Sequence, residues 1–246
     1  MSLARRFRLA YFGLAALFGA AVGAFIVVVE RPAPKPPPPW SAWQPSAPDP
    51  GVRQAQIAKH IEVQYRLPNG KKLVNVLAGG PGPSTDPIQL VAISKTLNPQ
   101  HQSDVLTTFN TQKTAMFILC GDGPKCSIGE GTPSVARAKV LGREALELAL
   151  YTLRYIDDAD SVVTFFPPGK GQKPTHALLF TKNELSDQLD SPLRQTLPRA
   201  KPPQPGDLTA AERKVIDNLT GPRVFKFRVE QGQSGGRVLV LVPERA

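Results

Sequence analysis

Residues 133–156, PSVARAKVLGREALELALYTLRYI, decide the fold of the C-terminal part of this chain. Thr132 is a suitable N-cap and Pro133 suits the first helical position, so the pattern predicts a helix over 133–156. Apolar and small residues recur along it at spacings of three and four and form one stripe: Ala138, Leu141, Ala145, Leu148, Thr152 and Tyr155. The charged residues between them predict a side that faces water: Arg137, Lys139, Arg143, Glu144, Glu147 and Arg154.

Strand patterns flank this helix on both sides. Apolar or alternating runs predict strands over 60–67, 71–77, 88–93, 114–120, 161–166, 176–180, 224–229 and 237–242. Asn69-Gly70 and the Gly-rich run 232–236 predict hairpin turns, and Thr209-Ala210-Ala211-Glu212 matches a capping box that starts another helix. Residues 96–112 are ambiguous, with one or two helical turns around 104–109. We therefore predict an α+β domain over 51–246, with a mostly antiparallel sheet and two to three helices.

An uncharged apolar run lies close to the N-terminus. Residues 9–29 contain 21 residues without a charged side chain, and a helix of that length spans roughly 31 Å, close to the hydrocarbon thickness of a bilayer. Arg5, Arg6 and Arg8 precede the run, which predicts a cytoplasmic tip over 1–8 and an extracytoplasmic domain. A cleavable signal peptide is the alternative, because Val22-Gly23-Ala24 resembles a cleavage site. The apolar run continues beyond it, which favours an uncleaved single-pass anchor in the lipid bilayer of the cell membrane.

The predicted anchor carries a small-residue pair. Gly19 and Gly23 form a G-x-x-x-G pattern, which lets two helix backbones approach closely in lipid. This pattern predicts a packing face and allows a homodimer. The alternative is that Gly and Ala are simply frequent in such helices.

A Pro-rich segment links the anchor to the domain. Residues 32–50 contain nine prolines, which predicts an extended polyproline-II linker over 30–50. Trp40 and Trp43 are three residues apart and project from the same side of such a helix. We expect them to pack against the domain.

The chain has two cysteines, Cys120 and Cys126. Outside the cytoplasm they are expected to pair, and closing a seven-residue loop stabilises by about 2.4 kcal/mol in the chain-entropy model. Free thiols are the alternative. Their spacing is not that of a C-x-x-C redox motif, and His60, His101 and His176 lie far apart in sequence, so neither a metal site nor a cofactor is predicted.

The net charge of the chain is +10. This excess suits anionic surroundings such as an acidic envelope protein, an anionic wall polymer or lipid head groups. The basic residues are scattered and no aromatic-plus-basic run is present, so nucleic acid is not a predicted partner.

One short run is similar to an enzyme motif. Gly232-Gln233-Ser234-Gly235-Gly236 resembles the Gly-Asp-Ser-Gly-Gly run around the nucleophile of chymotrypsin-like serine proteases. His60, Asp104 and Ser234 also follow the chain order of that family's triad. The run lacks the aspartate before the serine, and the strand and helix pattern is not that of a double β-barrel. A Gly-rich hairpin turn explains the same five residues.

These features together predict a membrane-anchored cell-envelope protein whose outward domain is a binding or scaffold module. Two alternatives stay open. The first is an envelope hydrolase with a site assembled from dispersed residues, such as two of the three histidines with a carboxylate. The second is a dimerising regulatory subunit of a membrane complex.

Overall fold

The chain forms helices and one sheet in the residues that the structure, a computed structural model, describes: 14, 16–19, 39–83, 85–95, 105–131, 133–232 and 235–244. The α-helices are α1 (Pro50–Glu62), α2 (Val135–Tyr155), α3 (Ser186–Asp190), α4 (Leu193–Thr196) and α5 (Ala210–Thr220). The strands are β1 (Asn75–Ala78), β2 (Ile88–Ser94), β3 (Val105–Asn110), β4 (Thr114–Cys120), β5 (Ser161–Phe165), β6 (His176–Thr181), β7 (Val224–Gln231) and β8 (Arg237–Pro243).

All eight of these strands belong to one sheet, in the order β1-β4-β5-β6-β7-β8-β2-β3. Five neighbouring pairs are antiparallel, including the predicted β7–β8 hairpin. Two pairs are parallel, β4 with β5 and β2 with β8. The sheet therefore confirms an α+β domain with mostly antiparallel pairing. Since α2 connects β4 to its parallel neighbour β5, these three elements form a βαβ unit.

The sheet is strongly curled. A Cβ atom placed on Gly80 would lie 2.8 Å from Met116 Sδ in β4 and 3.3 Å from Ile88 Cδ1 in β2, although four strands separate β4 from β2 in the sheet order. Because of this curl, one face of the sheet encloses a hydrophobic cluster built from strand residues, with Val163, Phe165 and Leu239 among them. The other face packs against the helices and forms the larger core.

Helix α2 is enclosed by α1, α5 and the sheet. It begins after Ser134, whose side chain accepts a hydrogen bond from the Arg137 amide. The N-cap is therefore Ser134 rather than the predicted Thr132. Thr132 lies outside the described residues. The prediction of a water-facing side is wrong for its middle. Arg143, Glu144 and Glu147 are 1%, 0% and 2% exposed, because three elements pack around the helix at once.

Residues 60–67 do not form the predicted strand. Helix α1 extends through Glu62, and Ile57, Ile61 and Tyr65 are buried at helical spacing. The Asp49 side chain caps this helix, with Pro50 in its first turn. The predicted Asn69-Gly70 turn is present, since Gly70 has φ 80°.

Two further segments differ from the expectation or refine it. Residues Val105–Asn110 form the edge strand β3 rather than helical turns. The compact unit begins at Pro39, so the second half of the predicted linker belongs to it. Trp40 is 9% exposed, and Trp43 stacks on His60 with ring centroids 3.8 Å apart, so both indoles pack on the domain as expected.

The predicted membrane helix lies mostly outside the described residues. Leu14 and residues 16–19 have helical backbone, and the side chains of Leu14, Leu17 and Phe18 are exposed. Among the described residues, no helix combines the length and the apolar character needed to cross a bilayer. The anchor over 9–29 stays a prediction.

Candidate functional site

A mainly apolar cavity of about 390 Å³ lies between α2, α5 and the first residues of β6 and β7. We call it the α2–α5 cavity. Its apolar wall consists of Ile128, Leu141, Phe166, Pro167, Leu178 and Val224. The polar groups at its boundary belong to Ser134, Arg137, Lys139, His176, Asp217 and Thr220.

The βαβ unit explains why a cavity forms here. β4 and β5 run parallel, so the loops that follow them leave the same edge of the sheet, where α2 also begins. Ile128 follows β4 and Phe166 follows β5, and the Ile128 amide donates to the Pro168 carbonyl over 3.0 Å. Crevices at the carboxyl ends of parallel strands are common ligand sites.

Gly142 of α2 faces α5 and lines the cavity. A Cβ atom on Gly142 would lie 3.7 Å from both Ile216 Cγ2 and Thr220 Oγ1 of α5, which is an ordinary contact distance. An alanine would therefore fit at this position, and the absence of a side chain leaves space between α2 and α5. The neighbouring Ala138 is small and exposed, so it leaves the entrance open.

Arg137 is the most buried of the charged residues that line this cavity. Its side chain is 5% exposed, and its two Nη atoms donate to the carbonyl oxygens of Glu130 and Leu73. Its Nε has no hydrogen-bond partner among the described residues. Burial lowers the pKa of Arg137 from its ordinary value, although Asp122 and Glu130 partly offset this.

The other charged groups at the cavity are paired. Lys139 forms an ion pair with Asp217 across the α2–α5 boundary. His176 Nε2 lies 3.3 Å from a carboxylate oxygen of Glu244, and its Nδ1 lies 2.9 Å from the hydroxyl of Thr175. Lys226 Nζ also lies 3.6 Å from a carboxylate oxygen of Glu244, so Asp217 and Glu244 each have a lysine neighbour.

A second polar cluster is buried between α2 and the segment that follows α1, and none of its side chains lines the cavity. Arg143 Nη1 donates to Glu147 Oε2 over 3.0 Å and also to the Tyr65 hydroxyl, which itself donates to Glu147 Oε2 over 2.7 Å. Arg143 Nη2 donates to the Arg199 carbonyl over 3.1 Å. We call this set the Arg143 network. It joins the segment after α1, helix α2 and the loop after α4 inside the core.

Glu144 lies beside this network without a hydrogen bond. Both its carboxylate oxygens are buried and have no partner among the described residues. Burial raises the pKa of Glu144 well above its ordinary value, and the nearby carboxylates of Glu147 and Glu62 raise it further. The folded protein therefore favours the neutral, protonated form of Glu144.

The structure places only some of the residues predicted from sequence. Cys120 and Cys126 have their sulfurs at disulfide distance, 1.99 Å, at the end of β4, as predicted. Gly19 has helical backbone, and a Cβ atom there would meet nothing within 4 Å, whereas Gly23 lies outside the described residues. The packing role of this pair stays a prediction.

The histidines and the protease-like residues do not form one described site. His60 lies in α1 against Trp43, and His176 lies at the α2–α5 cavity. His101, Asp104 and Ser234 lie outside the described residues.

Sequence reasoning missed the cavity and the buried charges. Gly142 inside an otherwise strong helical pattern was one available signal, because a glycine in a helix interior often has a packing or functional reason. The burial of Arg143 and Glu144 left no such signal, since their spacing also fits a solvated ion-pair face.

The sequence matches no described protein family, and no curated protein or solved structure matches it.

Proposed function

We propose that this chain is a single-pass membrane-anchored protein of the cell envelope, whose outward domain is a binding module that receives an apolar group in the α2–α5 cavity. The anchor is residues 9–29 and the lipid bilayer is its first partner. An envelope protein or an anionic polymer is the second. The observation that carries the proposal is the cavity, about 390 Å³ and lined mainly by apolar side chains.

The dimensions and chemistry of the cavity support binding. Ligand sites commonly measure about 300–1,000 Å³ and combine apolar walls with a few polar groups. Here Leu141, Phe166 and Leu178 provide the wall, and Arg137 and the Lys139–Asp217 pair provide the polar groups. An apolar group entering such a space gains roughly 0.8 kcal/mol for each buried methylene.

Filling the cavity should abolish binding. Ala138 is exposed at the entrance, so Ala138→Trp places an indole in the cavity without replacing a core residue. The probe is a photoactivatable diazirine derivative of 1-octanol, crosslinked to the full-length chain in lipid nanodiscs and mapped by mass spectrometry. We expect wild-type labelling at cavity residues and at least a tenfold loss in Ala138→Trp, because about two buried methylenes correspond to that factor.

Ala210→Trp is the matched control, since Ala210 is also exposed but does not line the cavity. Its labelling should equal that of the wild type. Equal labelling of cavity residues in both variants would refute this site.

The predicted topology has its own test. A reporter domain fused after Ala246 should face the extracytoplasmic side. A cytosolic reporter would remove the envelope role and leave the cavity proposal standing.

A hydrolase is the second candidate, and one observation favours it. His176 lies at the cavity between the Thr175 hydroxyl and the Glu244 carboxylate, an order in which histidine can take a proton from a hydroxyl. Cleavage of p-nitrophenyl octanoate, lost in His176→Gln, would establish this activity. Hydrolysis equal to that of empty nanodiscs would exclude it for this ester.

A dimerising regulatory subunit is the third candidate and depends on Gly19 and Gly23. Small residues at this spacing favour close helix packing in lipid. Crosslinked dimers should weaken in the double variant Gly19→Ile/Gly23→Ile, and an unchanged yield would exclude this face.

A further inference from the structure

The disulfide between Cys120 and Cys126 closes a short ring of residues at the end of β4. We call residues 120–126 the disulfide ring. Both cysteines are half-buried, and Pro124 and Lys125 between them are exposed. The ring therefore lies at the surface of the domain rather than in its core.

Two neighbouring residues of the disulfide ring have strained backbone. Lys125 and Cys126 have φ angles of 53° and 61°, in the left-handed region that disfavours residues with a Cβ atom. They are the two non-glycine residues with positive φ in the part of the chain that the structure describes. The bond to Cys120 and a hydrogen bond of 3.0 Å from the Gly121 amide to the Cys126 carbonyl hold this conformation. Strained or exposed disulfides are the ones that thiols reduce most easily.

Three glycines bring the backbone on either side of the ring into close contact. A Cβ atom on Gly121 would clash with the Ser127 carbonyl oxygen, and one on Gly129 would lie 2.8 Å from the Gly123 nitrogen. The Gly123 amide also donates to the Ser127 carbonyl over 2.9 Å. The ring and the residues that follow it are therefore packed directly against each other, so the position of Ile128 depends on the ring.

The chain continues from the disulfide ring into the wall of the α2–α5 cavity. Ile128 comes two residues after Cys126 and lines the cavity, and its amide donates to the Pro168 carbonyl over 3.0 Å. Two residues further, the Glu130 carbonyl accepts a hydrogen bond from Arg137 in the first turn of α2. A change in the backbone of the ring would therefore displace residues of the cavity wall.

We propose that the Cys120–Cys126 disulfide is a redox-sensitive switch for the α2–α5 cavity. Exchange with a dithiol opens the disulfide ring and loosens the cavity wall at Ile128, so the oxidised chain holds an apolar ligand more tightly than the reduced chain. The effect on ligand binding rests on the proposed binding function, whereas the effect on Ile128 does not.

The exchange balances with a dithiol as the reductant. One thiolate of the reductant attacks one sulfur of the bond, forms a mixed disulfide and releases the other cysteine as a thiolate, which takes up a proton. The second thiolate of the reductant then attacks the mixed disulfide and releases the second cysteine, which is protonated in the same way. Two electrons and two protons pass to the protein, and the reductant becomes a cyclic disulfide.

Titration of the full-length chain in lipid nanodiscs with dithiothreitol tests the reduction. Iodoacetamide traps the free thiols, mass spectrometry counts them, and circular dichroism reports the fold. We expect both thiols to be trapped while the circular dichroism spectrum stays that of the folded chain. Trapping that requires a denaturant would show a purely structural bridge and overturn the proposal.

Hydrogen exchange at Ile128 measures the coupling between the ring and the cavity wall. Its amide should exchange at least about tenfold faster in the reduced chain, the factor that corresponds to a local loss of about 1.4 kcal/mol. The double variant Cys120→Ser/Cys126→Ser should show the same fast exchange without dithiothreitol. If that variant does not fold, the reduced wild-type chain decides. Unchanged exchange in the reduced wild-type chain would overturn the coupling.

Two replacements of Lys125 test the role of backbone strain. Lys125→Gly relieves the left-handed strain at this position. It should raise the ratio of reduced to oxidised dithiothreitol at half-reduction about fivefold or more, the factor that corresponds to about 1 kcal/mol. Lys125→Ala is the matched control, because it removes the same charge and keeps a Cβ atom, so its ratio should equal that of the wild type. An equal shift in both variants, or none in Lys125→Gly, would overturn the role of strain.

The diazirine derivative of 1-octanol measures the effect of reduction on ligand binding. Labelling of cavity residues should fall at least about threefold when the wild-type chain is reduced, because affinity falls with the fraction of chains in the binding-competent form. Equal labelling of the oxidised and reduced chains would overturn the effect on the ligand. Absence of specific labelling in the oxidised chain would end the proposed binding function, and exchange at Ile128 would then decide the switch by itself.

Discussion

Replacing Arg143 by methionine is expected to lower the free energy of unfolding by about 3–5 kcal/mol, the usual result of removing one partner from a buried ion pair. Arg143 is 1% exposed and donates to Glu147, Tyr65 and the Arg199 carbonyl. Without the guanidinium, the Glu147 carboxyl would lie in the core without its cationic partner, with the Tyr65 hydroxyl as its remaining donor in this network. Chemical denaturation of residues 39–246 measures the change.

Two comparisons make this prediction specific. Arg154→Met removes an exposed arginine from the same helix and should change the free energy of unfolding by less than about 0.5 kcal/mol. The double variant Arg143→Met/Glu147→Leu removes both charges and should be more stable than Arg143→Met alone. A double variant as unstable as the single one would show that the loss comes from packing and not from an isolated charge.

Replacing Glu144 by leucine is expected to raise the free energy of unfolding at pH 7 by about 1–3 kcal/mol, because a buried polar group without a partner is removed. The carboxylate is 0% exposed, and both its oxygens are unpartnered among the described residues. Most replacements of core residues lower the free energy of unfolding, so an increase would distinguish this replacement from a general packing effect.

The gain should depend on pH, because the pKa of Glu144 is raised well above its ordinary value of 4.5 in the folded chain. Above pH 4.5 the unfolded chain loses this proton while the folded chain retains it, so ionisation favours unfolding as the pH rises. The stability difference between Glu144→Leu and the wild type should therefore grow from pH 4.5 upward, by at most about 1.4 kcal/mol per pH unit.

Glu144→Gln separates the effect of the titrating carboxyl from the effect of burying a polar group. It removes the titration but keeps a buried polar group, so its stability relative to the wild type should show the same pH dependence with a smaller gain. Denaturation of residues 39–246 between pH 4 and pH 8 provides both curves. A difference that is constant with pH, or that shrinks as the pH rises, would contradict a protonated Glu144.

Elements controlled by neighbouring residues were predictable from sequence. Both hydrogen bonds of the capping box at α5 are present. The Glu212 amide donates to Thr209 Oγ1, and the Thr209 amide donates to Glu212 Oε2. The disulfide closes across a short Gly-rich loop between Cys120 and Cys126. These features depend on a few adjacent residues, so their local chemistry is enough to specify them.

Segments whose residues fit both a strand and a helix pattern could not be assigned from their local sequence alone. Residues 60–65 alternate like a strand, yet Ile57, Ile61 and Tyr65 also repeat at helical spacing, and burial of Ile57 and Ile61 in the core favours a helix that continues to Glu62. The signal that distinguishes them is the Asp49-Pro50 helix start upstream. Edge strand β3 pairs with β2, and its sequence Val-Leu-Thr-Thr-Phe is rich in strand-favouring residues, so the expectation of helical turns there missed a local signal.

The sequence by itself determined the long helix α2, the capped helix α5, the β7–β8 hairpin, the cysteine pair and the predominance of antiparallel strands. Only the tertiary structure decided that Arg143, Glu144 and Glu147 are buried and that an open cavity lies beside Arg137. The physical reason is the number of packing partners. A hydrophobic stripe shows that a helix has one buried side, but α1, α5 and the sheet surround α2 together, and that arrangement arises from contacts between residues far apart in the chain.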